Sequence, residues 1–383
     1  MAQLLFVLHE ASRTGAPFTQ LHLMRWIKQH TTHDVMLLLM WGGDLVSEFE
    51  KLGEVYVLDE GKPARTLKER ALFKFDSMTQ YRRKHIMRRI ASFSPQVIFA
   101  NTAITLTLVV ELKKQLQIPL LLNVHELDST FYHYSQEEFR NNLPAVDYFI
   151  PGSYAVKHYY EGFCTIPSEK TAVIYDYIED ALSGVTTPEQ IRKEHGIPAG
   201  AKIVGAIASL MWRKGADLFI QVAREVLRAD PEVYFIWVGG KKESYQFKEL
   251  MRDVQLLGLA DRLLFVGGKS DLRGYYEGFD VFLLTSREDP FPLVCLEAGL
   301  AGTPVICFEH SGGMPEFVRD DAGFVVPYLD IQQMAARTLQ LLHDPTLRQQ
   351  KGTTAQQRVQ QSHTMATIGP ALYAAMQKFL PAQ

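Results

Sequence analysis

Short apolar runs, each ending in a polar or glycine-containing turn, recur along the chain. Between them, apolar residues fall three and four apart. The first run, Leu4 to Leu8, ends at His9 and a polar loop, Ser12 to Pro17, after which Leu21, Leu23, Met24 and Ile27 predict a helix. The same unit repeats, with strands predicted at 35–40, 54–58, 96–100, 119–124, 147–150 and 171–175 and helices at 105–116 and 155–164. The pattern pauses between Tyr175 and Pro198, where turn residues dominate, and a domain boundary is expected there. It resumes with strands at 202–207, 233–238, 263–266, 281–284, 304–308 and 324–326. From Ile331 to Leu380 the chain reads as helix, interrupted at Asp344-Pro345 and near Gly369-Pro370.

None of these strands alternates polar and apolar positions. Strands buried on both faces and separated by helices imply parallel sheets covered by helices on each side, an α/β architecture repeated in two halves. A length of 383 residues fits that division, because one hydrophobic core rarely serves so long a chain. An apolar fraction of 47% and a charged fraction of 22% are those of an ordinary globular protein. Cys164, Cys295 and Cys307 are far apart and set among apolar residues, which favours free buried thiols and a reducing compartment, the cytoplasm by default. No apolar run approaches the length of a bilayer span, and the start lacks the basic and cleavage regions of a signal segment.

The net charge of -3 conceals an uneven distribution. Residues 62–89 hold ten Lys and Arg against Glu69 and Asp76, interleaved with Phe73, Phe75, Met78, Tyr81 and Ile86. A solvated helical face accounts for such a segment, and so does contact with an anionic membrane or lipid-linked acceptor. A pI near 6.5 and the absence of a reading module argue against nucleic acid.

Ligands of open parallel sheets sit beyond the carboxyl ends of the strands, so the residues there are the candidates. After 202–207 come Ser209, Arg213 and Lys214, just before Gly215 and a new helix, which is a ready anion site. His125 and Glu126 follow 119–124, and Asn101 and Thr102 follow 96–100. The stretch Ser286 to Glu316 places Glu288, Asp289 and Glu297 around a turn and a short helix, carboxylates suited to a ligand rich in hydroxyls. No G-x-G-x-x-G follows a strand, which leaves a dinucleotide site unsupported. The Gly268-Lys269-Ser270 sequence fails as a phosphate loop because Leu263 stands where its first glycine belongs. No Asp-x-Asp and no grouped His and Cys spacing points to a metal.

These residues resemble the GT-B fold glycosyltransferases of the retaining family 4 type, over nearly the whole chain. EDPFPLVCLEAGLAGTPV resembles the family's E-x7-E region, GGMPEFV its acidic loop, WRKG its phosphate site, NVHE its central histidine and SRTGAP its first glycine loop. The resemblance implies two Rossmann-like doubly wound parallel-sheet domains facing across a cleft. Residues 1–178 would bind the acceptor and 179–362 the nucleotide sugar, with the helix 363–383 crossing back to the first domain. It implies that Glu297 binds the nucleotide ribose, that Arg213 and Lys214 bind the diphosphate, and that His125 faces the reaction centre. Asp289 or Glu288 would hold the donor sugar, with Gly15, Ser209 and the backbone of Leu293 and Val294 completing the donor site. Arg13, Asn101, Thr102 and Glu126 are the acceptor-side candidates. The chain departs from the family at Asp289, where the first Glu is expected, at Pro292, at Ser209 in place of an Arg, and at Tyr175 to Tyr177.

The implied reaction is metal-independent, cofactor-free transfer of a sugar from a nucleotide diphosphate to a hydroxyl of a glycan, lipid-linked saccharide or small molecule. A nucleotide-sugar epimerase, a phosphorylase on a related fold, or a weakly active nucleotide-sugar-binding scaffold are the alternatives.

Overall fold

The computed structural model describes residues 1–59 and 77–381. It divides into two compact units, one of residues 1–176 together with 365–383, the other of residues 177–364.

The first unit is built on six parallel strands, β1 (Gln3–Leu8), β2 (Asp34–Trp41), β3 (Glu54–Asp59), β4 (Val97–Asn101), β5 (Leu120–Val124) and β6 (Tyr148–Pro151), in the order β3-β2-β1-β4-β5-β6. The strand residues are apolar without alternation because both faces are covered. Leu5, Val7, Ile98, Leu120 and Leu122 share one buried cluster with Ile86, Val109 and Val156 of the covering helices. The strand expected at 171–175 is not formed: Thr171 makes only an isolated bridge to Phe149. The β-branched run that prompted that expectation is half-buried connection rather than sheet.

The second unit carries β7 (Ile203–Ile207), β8 (Tyr234–Val238), β9 (Leu263–Gly267), β10 (Val281–Leu284), β11 (Val305–Phe308) and β12 (Gly323–Val326), again parallel, in the order β12-β11-β10-β7-β8-β9. Helix Ala216–Ala229 places Phe219, Val222 and Val226 on this sheet, against Phe235 and Trp237.

The last helix, Met365–Gln377, runs unbroken through Gly369-Pro370 and belongs to the first unit, where it packs on helix Gly15–His30. The expected interruption is absent for a physical reason. A Cβ on Gly369 would lie 2.8 Å from the Trp26 ring, so the glycine serves close helix packing rather than a break. Tyr373 hydrogen-bonds His33 at 2.8 Å, while Lys378 bonds the Tyr148 hydroxyl at 2.9 Å and lies over its ring.

In each sheet the chain reverses its winding at one place, between β1 and β4 in the first and between β7 and β10 in the second. Loops leaving two such strands diverge to opposite faces and open a crevice beyond their carboxyl ends. Asn101 and Thr102, at the end of β4, and Lys214 and Asp289, after β7 and β10, stand at these reversals, and His125 and Glu126 follow the neighbouring β5.

Candidate functional site

The loops leaving β7 and β10 are sewn together at the reversal of the second sheet. The Arg213 carbonyl accepts the Arg287 N–H at 2.7 Å, and Arg287 itself donates to the Trp212 carbonyl at 3.0 Å. Its guanidinium also grips both oxygens of Asp217 at 2.9 and 2.7 Å, in the first turn of helix Ala216–Ala229. Gly215, with φ +69°, makes the approach feasible, since a Cβ there would fall 2.0 Å from the Thr285 carbonyl oxygen.

This stitching brings Lys214 and Arg213 onto one buried carboxylate, Asp289. Lys214 bonds its Oδ2, Arg213 reaches Oδ1 at 3.4 Å, and the Ser286 hydroxyl donates to Oδ2 at 3.1 Å. Burial alone would push the Asp289 carboxyl up, but the Lys214 and Arg213 cations outweigh it and hold the group below its ordinary range. The Asp289 N–H donates to the Ser311 carbonyl at 2.6 Å, and Gly313 donates to Pro290 at 2.8 Å, which fixes this loop to the turn after β11. Two cations and one carboxylate leave the cluster with a net positive charge, set before a helix N-terminus.

Of the two residues considered for the donor sugar, Asp289 is the buried member and Glu288 the half-exposed one, its carbonyl accepting from Arg213 at 3.1 Å. Ser209 is exposed just beyond β7. Pro292 caps helix Leu293–Leu300, so Leu293 and Val294 are its first two residues and their N–H groups are not used within the helix. Glu297, one turn further on, is partly exposed and accepts a 2.5 Å hydrogen bond from Tyr276. Cys295 lies between them, its buried thiol within electrostatic reach of Asp289, Lys214 and Glu297.

Beside the reversal of the first sheet, His125 is held on both ring nitrogens. Nδ1 lies 2.7 Å from Asp176 and Nε2 lies 2.6 Å from Asn101 Oδ1. The Asn101 amide nitrogen is committed to the Ala16 carbonyl at 3.0 Å, so its oxygen faces the ring and accepts from it. With an acceptor on each side the imidazole is a double donor and therefore a cation. Burial opposes that charge, but the carboxylates of Asp176 and Glu126 outweigh it and raise the His125 pKa.

Glu126 is buried, and its Oε2 accepts the N–H groups of Ala103 and His125, each at 3.0 Å. That one oxygen thereby fixes the turn. Thr102, at φ +90°, reaches His9 at 3.3 Å across the crevice, while Arg13 is exposed in the loop before helix Gly15–His30 and Gly15 is exposed at that helix's first position. His9 is pushed down to about 4, chiefly by burial, with Glu10 opposing and His125 adding to the fall. At neutral pH it is an uncharged imidazole at the tip of β1.

Asp176, Tyr276 and His9 thus contact candidate residues without having been nominated from the sequence. His9 closes an apolar run, a visible signal. Asp176 and Tyr276 carry none, since each meets its partner through the fold. Of the basic segment 62–89, residues 62–76 lie outside the described ones. In helix Ser77–Phe93, Arg83 pairs with Glu111 at 2.5 Å and Arg89 with Glu54 at 3.0 Å. Among the described residues no helix is long and apolar enough to cross a membrane.

Residues 187–358 match the family described as glycosyl transferases group 1. N-acetyl-alpha-D-glucosaminyl L-malate synthase of Bacillus anthracis is 28% identical over 195 residues, 50% of this chain and 50% of that protein. D-inositol 3-phosphate glycosyltransferase of Corynebacterium diphtheriae is 32% identical over 176 residues, 44% of this chain and 40% of that protein. The matched region thus spans about half the length of the curated relatives or less. Among solved structures, Anabaena HepE in complex with UDP and glucose superposes with a TM-score of 0.82 at 22% identity, over 98% of this chain and 100% of that one. Sucrose-phosphate synthase of Thermosynechococcus elongatus gives 0.79 at 20% identity, over 99% of each chain. At that level of identity the likeness establishes the fold.

Proposed function

We propose that the chain transfers a sugar from a nucleotide diphosphate to a hydroxyl acceptor, with retention and without a metal ion, a reading supported by the match of residues 187–358 to glycosyl transferases group 1 and by the GT-B fold. The observation that carries the reading is the cluster at the β7/β10 reversal, where Lys214 and Arg213 stand beside Asp289 at the start of helix Leu293–Leu300, with Glu297 one turn on.

In this reading the diphosphate takes its charge compensation from Lys214, Arg213 and the N–H groups of Leu293 and Val294, and Glu297 accepts the ribose hydroxyls. The bond from the anomeric carbon to the phosphate oxygen breaks as the acceptor oxygen bonds to that carbon on the same face. The acceptor's proton passes to the departing phosphate oxygen, whose growing charge the two cations stabilise. Preorganised donors of this kind are each worth about 2.7–4 kcal/mol. His125, in the first unit, has both N–H groups engaged, which suits fixed positive charge rather than proton transfer.

The nucleotide sugar donor is supported by the complexes of HepE with UDP and glucose and with UDP-glucose. The acceptor is a saccharide, lipid-linked or small-molecule hydroxyl, no separate cofactor takes part, and the work is done in the cytoplasm. The basic residues of 62–89 meet anionic lipid on its cytoplasmic face.

Glycosyl transfer by Lys214→Ala and Glu297→Ala tests the site. Each is expected to lose roughly a hundredfold or more in kcat/KM, and near-wild-type rates in both refute the assignment.

A further inference from the structure

We infer that Tyr276 positions the ribose-binding carboxylate of Glu297 and, through it, sets the pH at which a nucleotide sugar binds. This rests on Glu297 as the ribose ligand, the reading proposed above, and adds a residue that the reading does not contain.

Tyr276 sits on helix Arg273–Gly278, between β9 and β10, and is fully buried. Its backbone is held where Thr303 Oγ1 donates to its carbonyl at 3.2 Å, and its ring packs 6.4 Å from that of Phe282. The helix is seated tightly: a Cβ on Gly274 would meet the Thr187 carbonyl oxygen at 2.8 Å. The hydroxyl therefore arrives at a fixed point, 2.5 Å from Glu297 Oε2. Burial raises the Tyr276 pKa well above its ordinary value, with Glu297 adding to the rise, so the phenol keeps its proton and remains a donor.

One carboxylate oxygen is thus anchored from inside the unit. Among the described residues nothing bonds the other, and Glu297 is partly exposed. A ribose diol brings two O–H donors. An ionised carboxylate accepts both, whereas a protonated one gives up part of its accepting capacity.

The protonation state is finely placed. Burial pushes the Glu297 carboxyl up to about 7, and the Tyr276 hydrogen bond pulls the other way. The groups facing it are Tyr276 from helix Arg273–Gly278 and Cys295 from its own helix, a thiol kept neutral chiefly by burial. Helix Pro345–Ser362 also packs on this element, and its cations are spent elsewhere. Arg348 goes to Asp280 and the Leu341 and Leu342 carbonyls, Lys351 to the Asp320 carbonyl, and Arg358 to Asp321.

Among the described residues no cation holds Glu297 ionised, so the tyrosine's hydrogen bond does that work. Ligand hydroxyls prefer the ionised form, so affinity rises with pH through the empty-site value and levels above it. Losing a hydrogen bond to a charged group moves that value up by about one to two pH units. At pH 7 the ionised fraction, and with it the affinity, then falls roughly five- to fiftyfold.

The experiment is calorimetric titration of the whole chain with UDP-glucose, GDP-mannose and ADP-glucose from pH 6 to 9. A diphosphate diester has no proton of its own to lose in that range. Wild type is expected to bind one of them about tenfold tighter at pH 8 than at pH 6. Tyr276→Phe should shift the curve upward and converge on wild type at its alkaline end, and Glu297→Gln should bind weakly with a flat profile. Thermal unfolding of both variants separates misfolding from mispositioning, since a merely structural tyrosine moves stability without moving the pH profile.

A Tyr276→Phe curve coincident with wild type, or a flat wild-type curve beside a weakened Glu297→Gln, overturns the inference and leaves the ribose reading standing. Glu297→Gln binding as tightly as wild type at pH 8, or no nucleotide sugar binding at all, refutes the ribose reading and the inference with it.

Discussion

Replacing Asp289 by asparagine preserves its volume and removes one charge from the centre of the Lys214, Arg213 and Ser286 cluster. At 3.4 Å and an effective dielectric of about 20, the Arg213 pair alone represents roughly 5 kcal/mol of gross attraction. The net loss is smaller, because both ions were desolvated to make the pair. Removing one partner of a buried pair costs about 3–5 kcal/mol. Asparagine keeps an acceptor oxygen for Ser286 or one cation, so the lower figure of about 3 kcal/mol applies. For a unit of this size that is a fall in Tm of about 6–12 °C.

The pH dependence supplies a second check. The folded-state pKa of Asp289 is lowered, so its contribution is present above the unfolded value of about 3.9 and is lost as pH falls through the folded one. Scanning calorimetry of wild type and Asp289→Asn should show the full gap at neutrality, narrowing below about pH 4. Inorganic pyrophosphate, which offers negative charge to the same two cations, should raise the variant's Tm more than that of wild type. Melting of the two proteins within about 2 °C at neutral pH, or a gap that widens in acid, refutes the idea that Asp289 neutralises the cluster.

Asp176→Asn removes the carboxylate that outweighs burial at His125. In imidazole NMR titrations the wild-type His125 should lose its proton above the ordinary histidine range and the variant's at lower pH, while His9 titrates near 4 in the wild type. The raised value makes the pair stabilising below about pH 6.5, an effect lost as pH climbs through the folded-state pKa, so a wild-type His125 neutral at pH 6 contradicts it. Gly215→Ala combines φ +69° with a 2.0 Å approach to the Thr285 carbonyl, whereas a Cβ on Gly200 meets nothing within 4 Å. Urea midpoints should show a loss above about 2 kcal/mol for the first and near-neutrality for Gly200→Ala, and equal midpoints contradict the steric account.

The sheets were legible because parallel strands buried on both faces leave uninterrupted apolar runs, and the runs in β1, β4, β5, β7 and β10 announce themselves. Thr171 to Tyr175 shows the limit: Ala172 and Ile174 donate to the Phe149 and Pro151 carbonyls of β6 at 3.2 Å, yet only Thr171 completes a bridge and the run stays a connection. Gly369-Pro370 read as a break because sequence displays backbone cost and hides what a missing Cβ permits, here the approach of Trp26. Lys214, Asp289 and Glu297 were legible as chemistry at strand ends. Their pairings were not. Nothing in the spacing says that Asp289 neutralises Lys214, that Tyr276 reaches Glu297 from 21 residues away, or that Asp176 makes His125 a cation. Each pairing joins elements whose proximity is fixed only when the sheet order is known.

The placement of residues 365–383 in the first unit governs the order in which this protein is completed during synthesis. Helix Gly15–His30 leaves the ribosome early, yet the segment that covers Trp26 and His33 emerges only after the whole second unit has been made. Until then the first unit must wait with that face open to solvent, while the second unit has all its own strands and can fold without delay. Contacts separated by 340 residues, such as His33 with Tyr373, are late events. The nascent first unit is accordingly open to aggregation until that helix is made, and removing helix Met365–Gln377 would injure the unit that was translated first.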